Sequence, residues 1–303
     1  MPKLKVHFFS LLFLLLALPV TQSVAATVPS ECQDIWRVDS HPVARLKAGE
    51  SHFPKLKYFR WQGSRWQISD AETFFETQLP EVPLIVFVPG YSLTTQQTTQ
   101  VGFGLVRNFD PSKPCRVVFW DWYSERGIGN IRRDLRSKLP VVNNTAEYLA
   151  LLLQALKPQS QVCLFGFSYG SRIVCHATET LRKNDLLPEG LRLHLVLSGA
   201  ATDQHWFAKG HRHEKVPQVA EKILVTYNPE DWALQLYSLI YDFRCDIAAL
   251  GLEGVPIQRV VPEFRNRFEN IDISRSIGSG HRTLLHVQSP AFRSRINAYF
   301  FFE

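Results

Sequence analysis

The amino-acid sequence predicts an α/β fold, a mostly parallel sheet with helices on both faces. Three observations predict it. Apolar runs recur at residues 84–88, 117–120, 162–165 and 223–225, with another over 193–197 interrupted only by His194, as expected of strands buried on both faces. Helix-length segments separate most of them, so the connections are crossovers and neighbouring strands run parallel. One run leads into a helix through Gly166-Phe167-Ser168-Tyr169-Gly170, a serine between glycines at a strand-to-helix turn.

The elements follow in order from the N-terminus. Lys3 and Lys5 precede an apolar run over residues 8–20, followed by Val24-Ala25-Ala26. A basic start, a short apolar stretch and small residues before a cut are the parts of a secretory signal peptide, here 1–26. The 13-residue run is short for a membrane span, so a secreted or periplasmic protein with no integral membrane segment after processing is expected. Removing 26 residues and two lysines turns 303 residues and a charge of +6 into 277 residues and +4. That mild excess reads as a surface property. With 45% hydrophobic and 20% charged residues, disordered, collagen-like and coiled-coil classes are excluded. Residues 27–303 read as a single domain, of which 27–80 is an N-terminal extension without a clean period. Its Trp36, Trp61 and Trp66 point to packing against the rest.

After the strands at 84–88 and 117–120, Asn144 with Glu147 three residues on predicts a helix start. Ala146, Leu149, Ala150, Leu153 and Leu156 share one face, and Lys157-Pro158 ends the helix. Beyond Ser168 a second helix aligns Ile173, Ala177 and Leu181. A last strand is expected around residues 271–273. About 25 residues separate the strands ending at Leu197 and starting at Ile223, short for a large helical lid, so an open or loop-covered site is expected. All five cysteines (Cys32, Cys115, Cys163, Cys175 and Cys245) follow the leader. The odd count allows at most two disulfides. Cys163 and Cys175 sit in core-like patterns, and the absence of a CxxC pair argues against a structural zinc site.

The sharpest chemical signal is Ser168. A serine at a tight strand-to-helix turn projects its hydroxyl above the sheet, and the flanking glycines relieve crowding. The helix that follows offers free N–H groups to developing negative charge. With this turn, with Trp120-Asp121-Trp122-Tyr123-Ser124-Glu125-Arg126 after a strand and with the long helix before the turn, the chain resembles the α/β-hydrolase superfamily. Within it the chain is similar to esterase-like bacterial serine hydrolases. The resemblance runs from about Leu84 to the C-terminus. It implies a Ser, acid, His series in that chain order, acting on carboxylic esters or related acyl compounds.

Chain order then narrows the partners. Residues 223–227 lead to Asn228-Pro229-Glu230-Asp231, and Asp231 is the preferred acid, able to hold an imidazole in one tautomer. Glu230 beside it and Asp203 after an earlier strand stay open, and each carboxylate also fits a helix-start role. His281 in a loop is preferred over His286, which lies in an apolar run. Tyr169 N–H, next after the serine, is one oxyanion donor, and Tyr91 N–H, after Pro89-Gly90, is the other. Relatives commonly carry His-Gly there, and here Pro89 replaces the His.

His205, His211 and His213 with Asp203 match no zinc spacing, and neither metal nor cofactor is expected. Arg132-Arg133-Asp134-Leu135-Arg136-Ser137-Lys138 reads as a solvated face, and Asn143-Asn144-Thr145 as a coincidental glycosylation triplet. Nothing resembles a nucleic-acid module, P-loop or dinucleotide fingerprint. The expected partner is a small-molecule acyl ester. The alternatives are a non-catalytic binding protein of this fold, or a peptidase, thioesterase or acyltransferase with the same residues.

Overall fold

The computed structural model describes residues 33–44, 56–127, 129–237 and 247–302. The expected leader, Cys32 and Cys245 lie outside them. Nine strands form one sheet: β1 (Gln33–Asp39), β2 (Lys57–Gln62), β3 (Arg65–Ser69), β4 (Leu84–Val88), β5 (Cys115–Asp121), β6 (Gln161–Phe167), β7 (Arg192–Ser198), β8 (Lys222–Tyr227) and β9 (Phe268–Asp272). Their spatial order is β3-β2-β1-β5-β4-β6-β7-β8-β9. From β1 to β9 every pair is parallel, and only the β1–β2 and β2–β3 pairs are antiparallel.

The apolar runs are strands buried on both sides because successive residues point to opposite faces. Leu84, Val86 and Val88 join a core with α3 (Ile131–Gln154) and α4 (Gly170–Lys183). Ile85 and Phe87 join the opposite core with α2 (Thr95–Val106) and α6 (Pro290–Phe300). Cys163 and Cys175 are fully buried free thiols, and Cys115 is buried too. The fold class is therefore as the sequence predicts, an α/β sheet covered by helices on both faces.

Two elements differ from expectation. Residues 27–80 contain three strands of the central sheet and the short helix α1 (Ala71–Glu76). Trp36 on β1 is fully buried, and β1 lies between β2 and β5. These strands escape detection because the β2–β3 hairpin is half-exposed, with no continuous apolar run. The overlooked signal is its two-residue turn Gly63-Ser64, where Gly63 adopts φ 64°. The second difference is α3, which starts at Ile131 rather than near Asn144. Asn130 caps it, its side chain accepting from Arg132 and Arg133 N–H at 2.9 and 3.3 Å. Pro140 lies inside the helix, where a missing donor ordinarily breaks one. Apolar burial of Leu135, Val141 and Val142 offsets that cost. Thus the basic stretch is not wholly solvated: Lys138 is buried with its ammonium 4.0 Å from the Tyr123 ring centre. The Asn143-Asn144-Thr145 triplet is helical, with Thr145 buried.

Candidate active site

The carboxyl ends of β4, β6, β7 and β8 converge around Ser168. Ser168 follows β6 and precedes α4, with its backbone at φ 51°. This left-handed conformation costs a non-glycine residue about 1–2 kcal/mol, and the surroundings hold it there. Ser168 N–H donates to the Ser198 carbonyl at 3.0 Å, and the Ser168 carbonyl accepts from Ser171 and Ala201 N–H, each at 3.1 Å. Gly166 and Gly170 are required by close approach: an added Cβ would lie 2.6 Å from Ser171 Cα at the first and 2.0 Å from the Val88 carbonyl oxygen at the second.

His281 meets this hydroxyl from a loop beyond β9. Its Nε2 is 3.0 Å from Ser168 Oγ, and its Nδ1 is 2.6 Å from Asp231 Oδ2. The Phe167 ring backs the imidazole at a 5.1 Å centroid distance. Asp231 is fully buried at the end of β8. Its Oδ1 accepts from Ala233 and Leu234 N–H at 3.0 and 3.1 Å, so the helix-start role and the imidazole contact coexist on separate oxygens. The loops of the acid and the histidine are stitched together: Asn228 Nδ2 donates to the Gly278 carbonyl at 2.7 Å, and Trp232 N–H to the Ser279 carbonyl at 3.4 Å.

The structure thus brings Ser168, His281 and Asp231 into one hydrogen-bonded series. It does not bring Glu230 or Asp203 into it. Glu230 is exposed, with its N–H donating to Asn228 Oδ1, and Asp203 Oδ1 accepts from His205 N–H at 2.7 Å. His286 is fully buried in α5 (Thr283–Gln288) with its Nδ1 on Ser198 Oγ. Burial and the neighbouring His281 push its pKa down to about 3, so the ring is neutral.

Tyr91 and Tyr169 flank the serine. Gly90 allows the loop after β4 to approach, since a Cβ there would lie 3.1 Å from Ser168 Cβ. The Tyr91 N–H makes no hydrogen bond among the described residues. Its phenol donates to Asp134 Oδ2, which also accepts from Gly127 N–H at 3.0 Å. The aspartate in the basic stretch therefore clamps this loop. Tyr169 stands at the start of α4, its hydroxyl donating to the Leu135 carbonyl at 2.9 Å. Trp122 does not line an opening. It is buried, stacks parallel to Tyr169 and donates its indole N–H to the Pro89 carbonyl at 2.9 Å. Residues 228–267 separate β8 from β9 in sequence, against residues 199–221 between β7 and β8.

No zinc-like grouping of His205, His211 and His213 is found among the described residues. His213 Nδ1 is 2.6 Å from Glu179 Oε2, and His205 Nε2 accepts from Arg259. Donor atoms of Asp231, His281 and His286 do lie within 4.8 Å of one another, but the first two already bond each other. No helix among the described residues is long and apolar enough to cross a membrane.

The sheet, its helical layers and the strand–Ser168–helix turn define an α/β-hydrolase fold. No protein-family model matches the chain. A rice protein (Oryza sativa subsp. japonica), the transmembrane and coiled-coil domain-containing protein STS1, is 29% identical over 152 residues, 50% of this chain. The chain spans only 21% of the length of that relative. Among solved structures, a bacterial heroin esterase is similar at 12% identity and a TM-score of 0.42, covering 99% of this chain and 90% of its own. The type II thioesterase YbtT of a yersiniabactin pathway is similar at 14% identity and a TM-score of 0.37, covering 73% of this chain and 93% of its own. At these scores the likenesses carry no statement about chemistry.

Proposed function

We propose that the protein is an exported serine hydrolase that cleaves carboxylic esters or related acyl compounds through an acyl-enzyme. The observation that carries this reading is the unbroken series from Ser168 Oγ through His281 to Asp231, at 3.0 and 2.6 Å. His281 Nε2 takes the Ser168 proton as Oγ attacks the acyl carbonyl, and Asp231 holds the other ring nitrogen and stabilises the imidazolium. Tyr91 and Tyr169 N–H groups receive the oxyanion. The imidazolium then gives its proton to the leaving alcohol. Water, activated by the same imidazole, releases the acid and restores Ser168.

Turnover of p-nitrophenyl acetate by wild type and Ser168→Ala tests the reading. Saturable hydrolysis by wild type, lost in the variant, is expected. Equal rates in both would reject Ser168 as nucleophile. Absence of turnover with both this ester and an acyl thioester would favour the binding-protein alternative.

A further inference from the structure

Behind the Ser168–His281–Asp231 series lies a second imidazole that the proposed mechanism does not use. His286 Nδ1 is 3.0 Å from Ser198 Oγ, which is 2.8 Å from Thr226 Oγ1. All three residues are fully buried. They belong to α5, β7 and β8, and each element leads to the reacting groups. Thr226 lies five residues before Asp231, and His286 five residues after His281. The Ser198 carbonyl holds the Ser168 N–H. Ser198 therefore ties together the nucleophile turn by its backbone and the other two arms by its side chain.

The second imidazole also touches the first one's surroundings. A His286 ring nitrogen is within 4.8 Å of donor atoms on both Asp231 and His281. Phe167 contacts both rings, each at a 5.1 Å centroid distance, one tilted and one edge-on. A Cβ on Gly199 would lie 2.9 Å from His286 Cε1 and 3.4 Å from His281 Cε1, so both rings close on the same backbone point. A hydrocarbon side chain would fill this space without burying polar ring atoms. What the imidazole adds is a directed bond that fixes its orientation.

We propose that His286 is a positioning residue for the acyl transfer. Anchored through Ser198 to Thr226, it holds the His281 loop so that His281 stays in line between Asp231 and Ser168. The inference rests on the proposed roles of those three residues. His286 reaches neither substrate nor the reacting atoms, and a neutral ring does not compete for the transferred proton.

The test compares His286→Phe, His286→Asn and Ser198→Ala with wild type on p-nitrophenyl acetate, with thermal unfolding recorded for each. Misplacement of a catalytic group by about 1 Å costs about 100-fold. His286→Phe and Ser198→Ala should lower kcat about 10- to 100-fold with KM changed less than about 2-fold. The asparagine amide stands where Nδ1 stood, so His286→Asn should recover kcat to within about 5-fold of wild type, and the double variant should be no worse than the poorer single, as for two ends of one bond. A folded His286→Phe protein with wild-type kcat would overturn the proposal, as would equal losses in the Phe and Asn variants. If His286→Phe does not fold, Ser198→Ala and His286→Asn decide it by the same criteria. Ser168→Ala separates the two levels. An active Ser168→Ala enzyme sinks the nucleophile assignment itself, whereas an inactive one beside an unimpaired His286→Phe sinks only the positioning role.

Discussion

Asp231 places Oδ2 2.6 Å from His281 Nδ1 while its Oδ1 holds the Ala233 and Leu234 amides. One carboxylate therefore orients the imidazole and builds the loop that presents it. The two duties separate by substitution. Asparagine keeps an acceptor for the amides but loses the charge facing the ring. Asp231→Asn should lower kcat about 10⁴-fold while unfolding free energy changes by less than about 1 kcal/mol. Asp231→Ala should lose a further ~1 kcal/mol from the missing cap. Steady-state kinetics and urea denaturation check both, and near-wild-type kcat in the asparagine variant would contradict the role given to Asp231.

Ser168 is held at φ 51°, where glycine is unstrained and alanine is not. Both Ser168→Gly and Ser168→Ala should be inactive, with the glycine variant the more stable of the two by about 1 kcal/mol. Urea unfolding of the pair measures this. A less stable glycine variant would show that the turn carries no such strain.

Gly170 faces the Val88 carbonyl so closely that a methyl group would lie 2.0 Å from its oxygen. The obstacle is backbone, so α4 or β4 must shift to accommodate Gly170→Ala. We expect about 3 kcal/mol of destabilisation and loss of esterase activity in whatever protein folds. Wild-type melting and turnover would contradict this packing.

The buried and half-buried histidines predict acid sensitivity. Burial, and then neighbouring charges, push His176 down to about 4 and His286 down to about 3. Burial also lowers His194 and His213. For a depressed folded-state pKa, stability is present above the unfolded value of about 6.5 and is lost as pH falls towards the folded value, because the unfolded chain binds the proton first. His41 acts in the opposite sense. Burial opposes its charging, but the hydrogen bond and charge of Asp121 outweigh this and raise it, so its contribution is lost as pH rises. The two large depressions, at His176 and His286, set the sign, so the urea midpoint should fall between pH 7 and pH 4.5. His176→Gln should flatten that slope. A flat or rising midpoint on acidification would count against the neutral buried rings.

The N-terminal strands should be essential to folding. β1 is hydrogen-bonded to β5 over its whole length, and Trp36 is buried among Phe74 and the core facing α3. Trp36→Ala should cost about 3–5 kcal/mol, and a chain starting at residue 81 should be insoluble, with the β5 edge uncovered. A soluble, folded truncation would show that these strands are an appendage.

Legibility in the sequence followed burial. β4 to β8 read directly because both faces are covered, so every residue of β4 is buried and apolar. β1 to β3 did not, since half-exposed strands mix Trp and Tyr with Arg and Gln and carry no apolar run. Asn144 with Glu147 reads as the start of α3, whereas the helix runs on through Pro140 because tertiary burial overrides local propensity. Chain order and loop placement point to Ser168, Asp231 and His281 and leave Glu230, Asp203 and His286 open. They are silent on Ser198 and Thr226, whose contacts join residues 88 and 28 positions apart and are created by the pairing of β7 with β8 and the packing of α5 against them.

Activation of the Ser168 hydroxyl by His281 is what distinguishes a hydrolase from a binding protein of this fold. Intact mass spectrometry of the folded protein after treatment with a fluorophosphonate, followed by peptide mapping, tests it most directly. One adduct per chain is expected, on Ser168, formed far more slowly in His281→Ala and absent in Ser168→Ala. No adduct on folded wild type, or the same adduct yield in Ser168→Ala, would contradict it.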